Sequence, residues 1–166
     1  MTESDEPGPG SDSAKHPRNL ETQLWHAVLD VHGTVFARLN RAMGREFGIT
    51  LAKFDVLAQL YRSIEGMTQG NLSRHLKVTG GNVTGLVRRL TADGLITREM
   101  SASDRRVFVV QLTPRGRELY LAVRSRHDAM LEDWFHGLGT DDKNQALRVL
   151  KAMSASVGAT TPRETE

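Results

Sequence analysis

Apolar residues recur at steps of three and four from Leu20 to Phe47: Leu20, Leu24, Val28, Val31, Val35, Leu39, Ala42, Met43 and Phe47. That is the spacing of one face of an α-helix. The helix would be about 27 residues, or roughly 40 Å, long. Gly48 is placed to end it as a C-cap. A second helical pattern follows, with Leu51, Phe54, Leu57, Ala58, Leu60, Tyr61 and Ile64 on its apolar side and Gly66 at its end. Thr68 stands where an N-cap would open a short helix through Leu72 and Leu76. Lys77-Val78 turns the chain, and Thr79 opens a further helix carrying Val83, Leu86, Val87 and Leu90, closed by Asp93-Gly94. Two short helices joined by a tight turn make a helix-turn-helix.

The period then changes. Residues 95–100 and 106–112 read as strands, and the polar Ser101-Ala102-Ser103-Asp104 between them makes a hairpin. Thr113-Pro114 supplies an N-cap and a first-turn proline for a helix to about His136, with Leu119, Ala122, Val123, Met130, Leu131 and Trp134 as core positions. Gly137 and Gly139 break it. Thr140, Asp141 and Asp142 open a last helix whose apolar side is Leu147, Leu150, Met153 and Val157. Residues 1–18 and 158–166 lack periodicity and read as disordered tails. The expected fold is mainly α: a winged helix-turn-helix lobe over 49–112 with a two-stranded β-wing. A helical dimerisation region comes from 19–48 and 113–157. The first and last apolar stripes exceed what one small lobe can cover, so a second copy is the natural partner.

Composition narrows the function. The 166 residues are 39% hydrophobic and 25% charged, enough apolar content for a buried core. Cysteine is absent, which excludes disulfide scaffolds, thiolate zinc fingers and Cys nucleophiles. No run approaches a membrane span and no signal pattern opens the chain, so a cytoplasmic protein is expected. No His-Glu-x-x-His, nucleophile elbow or phosphate loop is present: Gly80-x4-Gly85 is followed by Leu86. An enzyme is therefore not expected, nor any cofactor. His26 and His32 sit about 240° apart around a helix and cannot share a metal from one face.

Charge has a location. Arginine outnumbers lysine 17 to 5. Residues 68–117 hold nine basic and three acidic side chains, a balance of +6 inside a chain whose formal charge is +2. This basic third coincides with the helix-turn-helix and hairpin, the electrostatic footprint of a duplex-DNA binder. Arg74, Thr79, Gly80, Gly81, Asn82, Thr84, Arg88 and Arg89 are the candidate contacts there. A helix N-terminus aims N–H groups outward, Asn82 can bond an adenine edge, and Thr84 a base or thymine methyl. Gly80 and Gly81 would let backbone approach backbone; Gly85 reads more simply as a packing glycine. At the hairpin tip, Ser103, Asp104, Arg105 and Arg106 set two arginines beside one aspartate. A narrow minor groove draws an inserted arginine, and the aspartate can pin the other. Arg105, nearer the tip, is the expected groove residue.

These residues together resemble the multiple-antibiotic-resistance-regulator (MarR) family of winged helix-turn-helix repressors. The segments that carry it are LSRHLKVTGGNVTGLVRRLTADGLITR (72–98) and SASDRRVFVVQLTPRGREL (101–119). The resemblance spans about 20–156. It implies a homodimer joined through its first and last two helices and two lobes reading a pseudo-palindromic operator. It also implies a small-molecule pocket between lobe and dimer region. The Gly80-Gly81 pair departs from the commoner Ser/Lys-rich start of the recognition helix. Trp25, His26, His32, Phe36, Arg38, Phe54 and Arg62 combine aromatic walls with cationic or hydrogen-bonding groups. They are candidate contacts for an aromatic acid, a phenol or an aromatic acyl-CoA. The competing readings are an architectural winged-helix protein without ligand control, and an activator.

Overall fold

The computed structural model describes residues 19–76, 80–100 and 107–159. The expected Lys77-Val78 turn, the hairpin tip and both tails through residue 18 and from 160 lie outside them. Six helices and three strands follow in the order α1 (Leu20–Phe47), α2 (Leu51–Arg62), β1 (Met67–Thr68), α3 (Gln69–Leu76), α4 (Gly80–Ala92), β2 (Ile96–Met100), β3 (Phe108–Leu112), α5 (Pro114–Trp134) and α6 (Thr140–Ala159). By their contacts the residues form two compact units, one up to Arg38 and one from Leu39 onward. In the first, α1 exposes Leu24, Trp25, Leu29, Val31 and Phe36.

Local chemistry sets the element ends. Gly48 ends α1 at φ +64°, a left-handed conformation open to glycine. The Asn40 side-chain oxygen accepts from the Leu51 N–H at 2.9 Å, and Thr50 Oγ1 accepts from the Lys53 N–H at 3.3 Å. Two of the donors left unpaired at the start of α2 are thus met. Thr68 Oγ1 does the same for Asn71 in α3 at 3.1 Å. Thr113 accepts from the Gly116 N–H and donates to the Gly94 carbonyl, so one hydroxyl caps α5 and ties it to the end of the helix-turn-helix.

The core is built from Phe54, Val56, Leu57 and Leu60 of α2, Leu72 of α3, Val83, Val87 and Leu90 of α4, Ile96 and Val110 of the sheet, and Tyr120, Val123 and Met130 of α5. No polar residue is buried among the described residues. Lys53 of α2 closes on Asp93 past α4 at 2.6 Å. Gly116 is where α5 meets the lobe: a Cβ there would lie 1.9 Å from the Leu95 carbonyl oxygen.

Four expectations need correction. The sheet has three antiparallel strands rather than two, in the order β1-β3-β2. Met67 and Thr68 pair with Val110 and Val109, and a two-residue strand is too short to alternate visibly. Ile64, expected on α2's apolar side, is 88% exposed. The helix stops at Arg62 because Ser63 Oγ donates to the Gly66 carbonyl at 2.6 Å, closing a turn that feeds β1. In α5, which ends at Trp134 rather than near His136, Ala122 is exposed and Tyr120 is buried. The inward face runs through Gly116, Tyr120, Val123 and Met130: Val123 and Met130 lie where expected, while Leu119, Leu131 and Trp134 are half-buried. Finally, α6 continues to Ala159, two residues beyond the expected boundary.

Candidate nucleic-acid interface

α4 is two-faced. Val83, Val87 and Leu90 are buried, while Gly80, Gly81, Asn82, Thr84, Arg88 and Arg89 are exposed. The exposed side carries two guanidiniums, an amide and two hydroxyls, and no carboxylate within the helix. Thr84 Oγ1 donates to the Gly80 carbonyl at 3.0 Å, which leaves its oxygen able to accept and its methyl outward-capable. Arg74 on α3 is also exposed, and one of its guanidinium nitrogens donates to Asn71 Oδ1. Thus Arg74, Gly80, Gly81, Asn82, Thr84, Arg88 and Arg89 occupy the two helices of one helix-turn-helix. Thr79, Ser103, Asp104, Arg105 and Arg106 lie outside the described residues. The wing's base is described: Arg98 of β2 stacks its guanidinium 3.6 Å from the Phe108 ring centroid of β3.

Among the described residues, no neighbour presses on the glycines of α4. A Cβ at Gly80 or Gly81 would meet nothing within 4 Å. One at Gly85 would have the Arg89 guanidinium as its nearest neighbour at 3.7 Å, an ordinary contact. This corrects the reading of Gly85 as a helix-packing glycine. Each glycine costs roughly 1 kcal/mol of helix propensity against alanine, with no close neighbour to require it.

α2, α3 and α5 border an open cavity of about 630 Å³. Phe54, Tyr61 and Tyr120 form its aromatic wall: Tyr61 and Tyr120 have centroids 4.5 Å apart, Phe54 and Tyr120 5.6 Å. His127 packs 5.3 Å from Phe54. Arg62, His75, Arg124 and His127 bring positive or protonatable groups, against Asp55 and Asp128. Arg124 is paired with Asp128 at 3.5 Å. Desolvation pushes the Asp55 carboxyl above its usual range, opposed by the nearby His127.

Of the seven residues expected to contact an effector, Phe54 and Arg62 line this cavity. Trp25, His26, His32, Phe36 and Arg38 all belong to the first unit, where they are exposed and His32 stacks on Phe36 at 5.8 Å. Sequence reasoning missed Tyr120, Arg124 and His127. Their i, i+4, i+7 spacing on α5 was the available signal, since it puts all three on one helix face.

Comparison with known proteins gives a consistent result. A family model described as MarR family matches residues 47–107. The transcriptional activatory protein BadR of Rhodopseudomonas palustris is 32% identical over 121 residues, which cover 69% of this chain and 69% of BadR. A crystal structure of a MarR family transcriptional regulator from Silicibacter pomeroyi shares 38% identity at a TM-score of 0.72, over 82% of this chain and 94% of that one. CouR from Rhodococcus jostii RHA1, solved bound to p-coumaroyl-CoA, is 25% identical at a TM-score of 0.71, covering 90% and 99% of the two chains. MepR of S. aureus, solved in complex with DNA, is 25% identical at 0.72, covering 83% and 99%.

Proposed function

The chain belongs to the MarR family of DNA-binding transcriptional regulators, and on that premise we propose a homodimeric repressor released from a pseudo-palindromic operator by a small aromatic or anionic effector. The observation that carries the DNA reading is the carboxylate-free exposed face of α4 opposite its buried stripe. Asn82, Thr84, Arg88 and Arg89 would enter the major groove, with Gly80 and Gly81 letting the helix start sit close and Thr79 and Arg74 on the backbone. Arg105 would enter the minor groove, steadied by Ser103, Asp104 and Arg106.

The dimer reading rests on apolar residues left in solvent. α6 exposes Leu147, Val149, Leu150 and Val157, and none of residues 140–158 is buried. Residues 19–48 and 113–157 would form the dimerisation region, and 49–112 the DNA-binding lobe. The effector reading rests on the cavity of about 630 Å³, whose aromatic wall and Arg62 suit an aromatic acid, a phenol or an aromatic acyl-CoA. CouR's bound thioester supports that class. BadR's name favours an activator as the second reading, since the sign of regulation depends on where the operator lies.

The test is selection from a random duplex library at near-physiological salt, run with the protein and with Arg105→Ala/Arg106→Ala. An inverted repeat recovered by the parent and lost by the variant is the expected result. Strong binding without enrichment would replace the regulator with an architectural clamp.

A further inference from the structure

His75 lies at two sites at once. It lines the cavity beneath α3, and with Asn71 and Arg74 it lines a second, shallow hollow. Its Nδ1 is 2.8 Å from the Asn71 carbonyl oxygen. A carbonyl only accepts, so Nδ1 holds a proton there and Nε2 is the ring nitrogen left for a further partner. Asn71 is itself fixed: Thr68 Oγ1 accepts from its N–H, and its Oδ1 receives the Arg74 guanidinium.

We propose that His75 Nε2 is contested between a DNA phosphate in the Asn71–Arg74 hollow and the anionic end of a molecule in the cavity, so that the two exclude each other at one ring. The inference rests on reading the cavity as the effector site. Asn71, Arg74 and His75 line the hollow, with no carboxylate among them, so the cations within reach of a phosphate there are Arg74 and a protonated His75. α3 is also the first helix of the motif, the one that crosses the DNA backbone. On the cavity side, Arg62 lines the same cavity as His75 and brings a second cation to it.

With Nδ1 committed to Asn71, Nε2 donates only when the ring has taken a second proton, so either anion binds the imidazolium. The two hollows that His75 lines are also lined by Arg74 on α3, by Asp55, Tyr61 and Arg62 on α2, and by Tyr120, Arg124, His127 and Asp128 on α5. One nitrogen serving one partner yields negative coupling between DNA and effector without any movement of the lobes.

The test uses the full chain, the duplex recovered by selection, and p-coumarate and p-coumaroyl-CoA as probes. DNA affinity is measured with and without probe over a salt series, and probe affinity by calorimetry without DNA. In the parent, a probe should weaken DNA binding about tenfold, and DNA should weaken the probe by the same factor. His75→Ala should still bind both ligands, with that factor reduced below about twofold and the salt slope reduced by about 1. His75→Gln, whose amide nitrogen stands near the Nε2 position, should restore part of both. Parent-like coupling in His75→Ala, with its circular dichroism unchanged, overturns the shared-contact proposal and leaves the effector site standing. Absence of probe binding to the parent overturns the effector reading itself, and the proposal with it.

Discussion

α4 and α6 are both amphipathic helices, but only one finishes its apolar face within the chain. In α4, Val83 and Leu90 are each 0% exposed, covered by α2, α3 and the sheet. In α6, Leu147 is 54% exposed and Leu150 46%. The same sequence signal therefore has two outcomes, and tertiary context decides which. A helix whose stripe is covered becomes a fixed platform, so the polar residues on its back are held in register for a ligand. A helix whose stripe stays in water is a standing invitation to another apolar surface.

The contrast breaks most severely at the joint between lobe and α5. Gly116→Val sets a Cβ against the Leu95 carbonyl, where backbone cannot yield. The expected loss is on the order of 4 kcal/mol or more, seen as a collapse of cooperative thermal unfolding. An unchanged melting temperature would mean α5 does not dock as described. Next in size is a matched pair. Leu90→Ala should cost about 3 kcal/mol at any protein concentration, by emptying a filled core site. Leu147→Ser with Leu150→Ser should leave the lobe's stability nearly unchanged and raise the dimer dissociation constant about tenfold or more in sedimentation. Equal effects from the two changes would erase the distinction between α4 and α6.

The smallest effect is electrostatic. Arg126 holds Glu46 in a two-pronged contact at 2.8 and 3.1 Å, and this hydrogen bonding lowers the Glu46 pKa below its ordinary 4.5. A carboxylate with a depressed folded value adds stability above its unfolded pKa. That contribution is lost as pH falls from about 4.5 through the folded value. Both groups are exposed, so the contribution is slight. Glu46→Gln should remove this part of the acid-side slope in pH-dependent unfolding and do nothing at neutral pH beyond a small uniform offset. A parent-like acid slope in the variant would assign the slope to other carboxylates.

Much of this architecture was legible in the residues themselves. The three-and-four spacing set α1 from Leu20 to Phe47, and Gly48, Gly94, Thr113 and Pro114 marked element ends by chemistry that acts over a few residues. What escaped depended on distant partners. β1 exists because β3 offers Val109 and Val110 to Met67 and Thr68, and no local pattern announces two residues. Ile64 leaves the apolar stripe because Ser63 and Gly66 close a turn that a hydrophobicity pattern does not weigh. Little of the cavity is legible: Phe54 and Arg62 stand out, but Arg124, His127 and Asp128 look like an ordinary solvated face until α2 and α3 pack beside them. Polar residues that converge from three helices carry no local signature, whereas the basic character of residues 68–117 was countable at once.

The most direct test concerns the exposed face of α4. The dissociation constant on the selected duplex is compared with that on a shuffled duplex of the same length, at one salt concentration, for the parent and for Asn82→Ala and Arg88→Ala. The parent should prefer the selected duplex by about a thousandfold or more, and each variant should lose about tenfold of that preference. A parent preference within a few-fold of one, or variants that weaken both duplexes equally, would contradict sequence reading by α4.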